Sequence, residues 1–131
     1  MFAALLAALA LQPAAATDTA EMEGRCEYPE AVRQYQHETV FAICSRFTIS
    51  RESGNAAFTF GPRSLGPTMI FAGRMNGNRM EVRQLTLRDG DTKAAEGTCE
   101  IFYTSGEVSV VSCLAKAGTL TYAANFIKSR L

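Results

Sequence analysis

From residue 39 onward, apolar and polar residues alternate with a period of two, the spacing that sends successive side chains to opposite faces of a strand. Thr39 to Ser50 (TVFAICSRFTIS) is rich in β-branched and aromatic residues and predicts one long strand. Its alternation puts Phe41, Ile43, Phe47 and Ile49 on one face and Cys44 on the other. Ser53-Gly54-Asn55 then signals a turn. Phe58 and Phe60 share a face in the next strand, Ala56 to Phe60. Gly61 to Pro67 (GPRSLGP) is the longest loop signal in the chain. Thr68 to Met75 predicts a strand, and Asn76-Gly77 predicts a type I′ hairpin turn into Asn78 to Arg88. In that second strand Met80 and Val82 fall on one face, whereas Leu85 and Leu87 fall on the other. A one-residue slip of this kind predicts a β-bulge near Arg83-Gln84.

The same grammar continues to the end of the chain. Asp89-Gly90, Ser105-Gly106 and Ala117-Gly118 are turn signals. They separate strands at Glu96 to Tyr103, Glu107 to Ala115 and Thr119 to Ile127. About seven short strands follow at near-even spacing, with no helix-length crossover, which excludes parallel βαβ units. The expected fold is all-β: a single antiparallel meander that closes into a barrel or folds into a sandwich.

The N-terminal part has a different pattern. Phe2 to Leu11 is an unbroken apolar run, followed by Pro13 and Ala14-Ala15-Ala16. This is the form of a secretory signal with a small-residue cleavage site, except that no Lys or Arg precedes the run. The run is near half the length of a membrane span, so no membrane-spanning segment is expected in the mature chain. The domain organisation expected is therefore a signal peptide at 1–16, a flexible acidic tail at 17–25 and one β-domain at 26–131. Pro29 to Glu38 reads as one or two helical turns or a loop.

Four cysteines lie after this leader: Cys26, Cys44, Cys99 and Cys113. An even count in a small exported domain reads as a disulfide framework, and four cysteines allow three pairings. A three-residue loop at Ser105-Gly106-Glu107 would set Cys99 directly opposite Cys113, leaving Cys26 to bond Cys44. The spacings are too wide for the closely paired ligands of a zinc site. The expected location is periplasmic or secreted.

Composition removes some function classes. The formal net charge is +0, which gives no attraction to nucleic acid or to an anionic membrane. The single histidine, His37, lies in a polar stretch with no catalytic motif around it. Asp89-Gly90-Asp91 lacks the remaining ligands of a calcium loop. No catalytic residue, metal site or cofactor is assigned, and no enzyme is expected. Two features remain as candidate binding elements. One is the Gly61–Pro67 loop, carrying Arg63 and the apolar Leu65 at its tip. The other is an arginine group, Arg74, Arg79 and Arg83, in which Arg74 would face Arg79 across the Asn76-Gly77 turn. Like charges placed opposite each other destabilise a hairpin, and either an anionic partner or Glu81 and solvent would relieve them.

The plan of leader, short disulfide-bonded domain and antiparallel meander is similar to that of the small bacterial periplasmic lysozyme-inhibitor barrels. The inhibitory loop signature of that family, with its following Trp, has no counterpart here, because the chain contains no Trp. Its membership is not inferred. The sequence reads as a binding or inhibitory module for an envelope or extracellular protein. The alternatives are a small-ligand carrier using the barrel interior and, less favoured by the residues, an enzyme.

Overall fold

A computed structural model describes residues 17–35, 37–62 and 68–130. The leader segment 1–16 and residues 63–67, which include Arg63 and Leu65, lie outside the described residues.

The described residues form nine strands and one helical turn: β1 (Thr17–Cys26), α1 (Glu30–Arg33), β2 (Thr39–Phe41), β3 (Arg46–Glu52), β4 (Asn55–Gly61), β5 (Met69–Asn76), β6 (Arg79–Leu87), β7 (Thr92–Thr104), β8 (Glu107–Ala117) and β9 (Leu120–Lys128). The sheet runs β1-β3-β4-β5-β6-β7-β8-β9 and closes where β1 meets β9, giving an eight-stranded barrel with β2 added beside β9. Every pairing is antiparallel except β2–β9.

The count rises from about seven strands because Thr17 to Arg25, expected as a flexible tail, belongs to β1, and because the strand expected at 39–50 divides into β2 and β3. β1 pairs with β3 from Thr17↔Glu52 to Glu23↔Arg46 and with β9 from Gly24↔Lys128 to Cys26↔Phe126. Its sequence, TDTAEMEG, has almost no strand-forming residues. It is held instead by two neighbours and by Ala20 and Met22, which pack against the core.

Inward positions are apolar throughout. Phe47, Phe58, Phe60, Phe71 and Phe126 are fully buried together with Met69, Met80, Leu85 and Ile101. Phe47 lies 5.0–5.5 Å, ring centre to ring centre, from Phe58, Phe60 and Phe126. No polar or charged residue is buried among the described residues. An eight-stranded barrel is just wide enough for side chains to fill it, and here the phenylalanines do so.

Both disulfides form as the sequence suggested, Cys26–Cys44 and Cys99–Cys113. Cys99 and Cys113 are directly opposite, with Cα atoms 4.0 Å apart. The route to that register differs from the expected three-residue loop. The turn is the two-residue Ser105-Gly106, both at positive φ, and pairs Thr104 with Glu107. A bulge at Ser109 then adds the residue that restores the cysteine register.

The β5–β6 turn also differs from expectation. It lies at Gly77-Asn78, not Asn76-Gly77, and Gly77 carries the positive φ, the arrangement of a type II′ turn. The shifted register sets Met75 opposite Met80 instead of Asn78, and Arg74 opposite Glu81 instead of Arg79. Matching apolar to apolar and opposite charges outweighs the Asn-Gly turn preference. The predicted bulge is present: Ala72 pairs with Gln84 and Gly73 with Val82, so Arg83 is left over.

The expected long strand at 39–50 is broken. β2 runs beside β9, and Ala42 N–H donates to Ala123 O. The chain then changes neighbour, so that Cys44 O and Ser45 O accept from Cys26 and Gly24 of β1. The crossing turns Ile43 out to 79% exposure and brings Cys44 inside, within reach of Cys26.

Candidate functional site

The arginine group stands on the outer wall of the barrel. Inward-pointing Met75, Met80 and Val82 fix the phase of β5 and β6, so Arg74, Arg79 and Glu81 point outward by alternation. The bulge puts Arg83 and Gln84 outside together, since both are exposed in succession. Glu81 is therefore flanked by Arg79 and Arg83 along its own strand and by Arg74 across the ladder.

Arg83 takes the carboxylate: its Nη2 lies 3.2 Å from Glu81 Oε1, with both side chains more than half exposed. Such a pair contributes between zero and about 1 kcal/mol. Arg74 and Arg79 have no carboxylate within 4.0 Å among the described residues. Glu100 is opposite Arg79 in register but makes no ion pair with it. Arg74, Arg79, Asn76, Glu81 and Thr98 line one open groove. Arg74 also borders a second groove with Asn55, Ala72, Arg83 and Gln84 on the other side of the bulge. The wall thus presents two unpaired guanidinium groups beside a bulge, with hydroxyl and amide side chains around them. This chemistry suits carboxylates, which guanidinium forks bind with two parallel hydrogen bonds.

The other sequence candidates resolve differently. His37 is exposed beyond α1. Asp89 Oδ1 accepts the Asp91 N–H at 2.9 Å, and Asp91 lies 3.8 Å from Lys93 Nζ, so this segment is a side-chain-braced turn. All four cysteines are in disulfides. Among the described residues no three His, Cys, Asp or Glu side chains come together to hold a metal.

Sequence reading missed a second class of surface feature. Tyr28 lies beside β9, its ring centre 4.6 Å from that of Phe41 with the two planes tilted, and its hydroxyl donates to Ala42 O at 2.6 Å. Burial pushes this phenol up to about 12, partly offset by its backbone hydrogen bonds. Leu114 on β8, 56% exposed, sits one strand away opposite Ala123. The only signal for Tyr28 was an aromatic close to a half-cystine. Comparison with known proteins gives no match, either to a family model, to a curated protein or to a solved structure.

Proposed function

We propose that the protein is an exported binding module that recognises an acidic surface of an envelope or extracellular protein through the outer wall of β5 and β6. The observation that carries this reading is the pair of unpaired guanidinium groups, Arg74 and Arg79, lining one open groove. Two further features support it. The interior is occupied by phenylalanines, which leaves the outer wall as the accessible chemistry and disfavours a ligand carrier. Two disulfides fit an oxidising environment, in line with the leader, and no helix among the described residues is long and apolar enough to cross a membrane.

The test is affinity capture from the native envelope and secreted fraction, with the oxidised protein as bait beside an Arg74→Ala/Arg79→Ala variant. Both residues are exposed strand positions, so the variant is expected to keep the wild-type unfolding midpoint. A protein retained by the wild type and lost with the variant supports the reading. Equal retention by both forms, or none by either, removes the arginine wall from the function.

A further inference from the structure

Asn76-Gly77, read from the sequence as a turn signal, also has a covalent chemistry. An asparagine amide followed by glycine is labile, because no Cβ hinders the next backbone nitrogen from reaching the side-chain carbonyl carbon. The chain has four asparagines, at 55, 76, 78 and 125. The fold protects them unequally. Asn125 Oδ1 accepts from Ser112 Oγ, its Nδ2 donates to Glu27 O at 2.9 Å, and the next residue is the fully buried Phe126. Asn78 Nδ2 donates to Ile101 O at 3.1 Å, and Asn78 O accepts the Ile101 N–H, which clamps this residue to β7. Asn55 is followed by Ala56, buried and paired on both sides, to Arg51 and to Gly73.

Asn76 has none of these restraints. It is exposed at the end of β5, and Gly77 is exposed in the turn at a φ of 65°. Among the described residues no hydrogen bond holds the Asn76 side chain and none takes the Gly77 N–H. A Cβ built on Gly77 would meet nothing within 4 Å, so the space around the nitrogen is open. Closing a five-membered ring requires Asn76 to leave its extended conformation. That breaks one rung, Asn76↔Arg79, at the end of a hairpin still held by Met75↔Met80. Openings of this size at a strand end cost far less than global unfolding.

The position gives the reaction a consequence. Asn76 is directly opposite Arg79 and two residues along the strand from Arg74, and all three side chains line the same groove. Neither guanidinium has a carboxylate partner among the described residues, and Glu81 is paired with Arg83. We propose that Asn76 deamidates spontaneously and that the carboxylate formed there pairs with Arg79 and Arg74, so that the arginine wall carries its own slow off-switch. The reaction consumes only water. The Gly77 nitrogen gives its proton to solvent and bonds to Asn76 Cγ. The Cγ–Nδ2 bond breaks, ammonia leaves, and a succinimide remains. Water then opens one of the two ring C–N bonds, leaving aspartate or isoaspartate. Nothing is oxidised or reduced, and either product adds one negative charge beside two guanidinium forks that bind carboxylates. That the switch turns off binding rests on the function proposed above, whereas the amide loss and the new ion pair do not.

The test incubates the oxidised protein at physiological temperature and mildly alkaline pH. Trypsin, cutting after Arg74 and Arg79, then releases residues 75–79 as one peptide, in which mass-spectrometric fragmentation separates position 76 from position 78. The amide at Asn76 is expected to be lost roughly tenfold or more faster than those at Asn55, Asn78 and Asn125, with both aspartyl and isoaspartyl products. Loss no faster than at Asn78, or an aspartyl product alone, overturns the site. The pairing is read in an Asn76→Asp variant by NMR titration. Its new carboxyl is expected to titrate at lower pH than the same carboxyl in Asn76→Asp/Arg74→Ala/Arg79→Ala. Equal titration with and without the two arginines overturns the closure. In capture from the envelope and secreted fraction, a protein retained by the wild type and lost with Asn76→Asp supports the off-switch, and equal retention by both overturns it. Capture that fails with every form counts against the function proposed above and leaves the first two readouts to decide the chemistry.

Discussion

Tyr28 shows how a single side chain fastens the segment that leaves the barrel between β1 and β3. Its ring meets that of Phe41 in a tilted contact, and its hydroxyl reaches Ala42 O and, at 3.3 Å, Ala123 O. Burial strips water from the ionised phenolate, so its pKa rises from the usual 10.0 to about 12 although its backbone hydrogen bonds pull the other way. The sign of the resulting pH dependence is fixed. Below pH 10 the phenol is neutral in both folded and unfolded chains and the fold keeps its full stability. As pH rises from 10 towards 12, only the unfolded chain releases the proton, and stability falls. The unfolding midpoint in urea should therefore drop across that window, and Tyr28→Phe should flatten the drop while lowering stability at pH 7 by about 1 kcal/mol through the lost hydrogen bond. A variant with the same alkaline slope as the wild type would show that Tyr28 is not its source. None of this was legible from the sequence. The segment from Pro29 to Glu38 reads as loop or helical turn, and nothing in it says which outer wall Tyr28 will cover.

At the scale of the elements, the sequence was most informative where two rules agreed and least where they conflicted. The phase change between Val82 and Leu85 located the β6 bulge, because apolar side chains must stay inside whatever the backbone does. The Asn76-Gly77 signal misplaced a turn by one residue, because the side-chain match of Met75 with Met80 has more to gain than a two-residue turn preference. β1 was lost for the opposite reason: an acidic segment poor in β-formers carries no local signal, and only its two neighbours make it a strand. The bulge also depends on a residue opposite it. A Cβ built on Gly73 would lie 1.8 Å from Glu81 O, a backbone atom that cannot rotate away. Gly73→Ala should accordingly force β5 and β6 apart beside the arginine wall. The expected cost is about 2–4 kcal/mol in chemical denaturation, against a loss within roughly 0.5 kcal/mol for Ala72→Gln on the outward face. A neutral Gly73→Ala would mean that the bulge relaxes freely and does not hold Arg83 in place.

The molecule as a whole closes through one edge of β9. β8 takes the other edge along its length, so β1 at Gly24–Cys26 and β2 at Thr39–Phe41 must share this one in series. Closure thus requires the chain to lay β1 down, loop out through α1 and return to the same edge beside it. The Cys26–Cys44 bridge ties the two ends of that excursion, with Cα atoms 5.0 Å apart. The Cys99–Cys113 bridge, by contrast, joins adjacent strands of a hairpin that is already fully paired. Each closes a loop of similar length, with separations of 18 and 14 residues, so the chain-entropy gain is similar, about 3 kcal/mol apiece. Their local consequences should differ. With Cys26→Ser/Cys44→Ser, the excursion keeps the short parallel β2 ladder, the hydrogen bonds between Glu27 and Asn125 and the Tyr28 contacts, and its local opening becomes easier than global unfolding. Trypsin cleavage after Arg33, which lies on the unburied α1, should then accelerate roughly tenfold or more under native conditions. Cys99→Ser/Cys113→Ser, equally destabilised overall, should leave the Arg33 cut close to the wild-type rate, since its hairpin is not part of the excursion. Equal acceleration in the two variants would mean that the seam opens only with the whole barrel and that β1 and β2 hold β9 without help from the bridge.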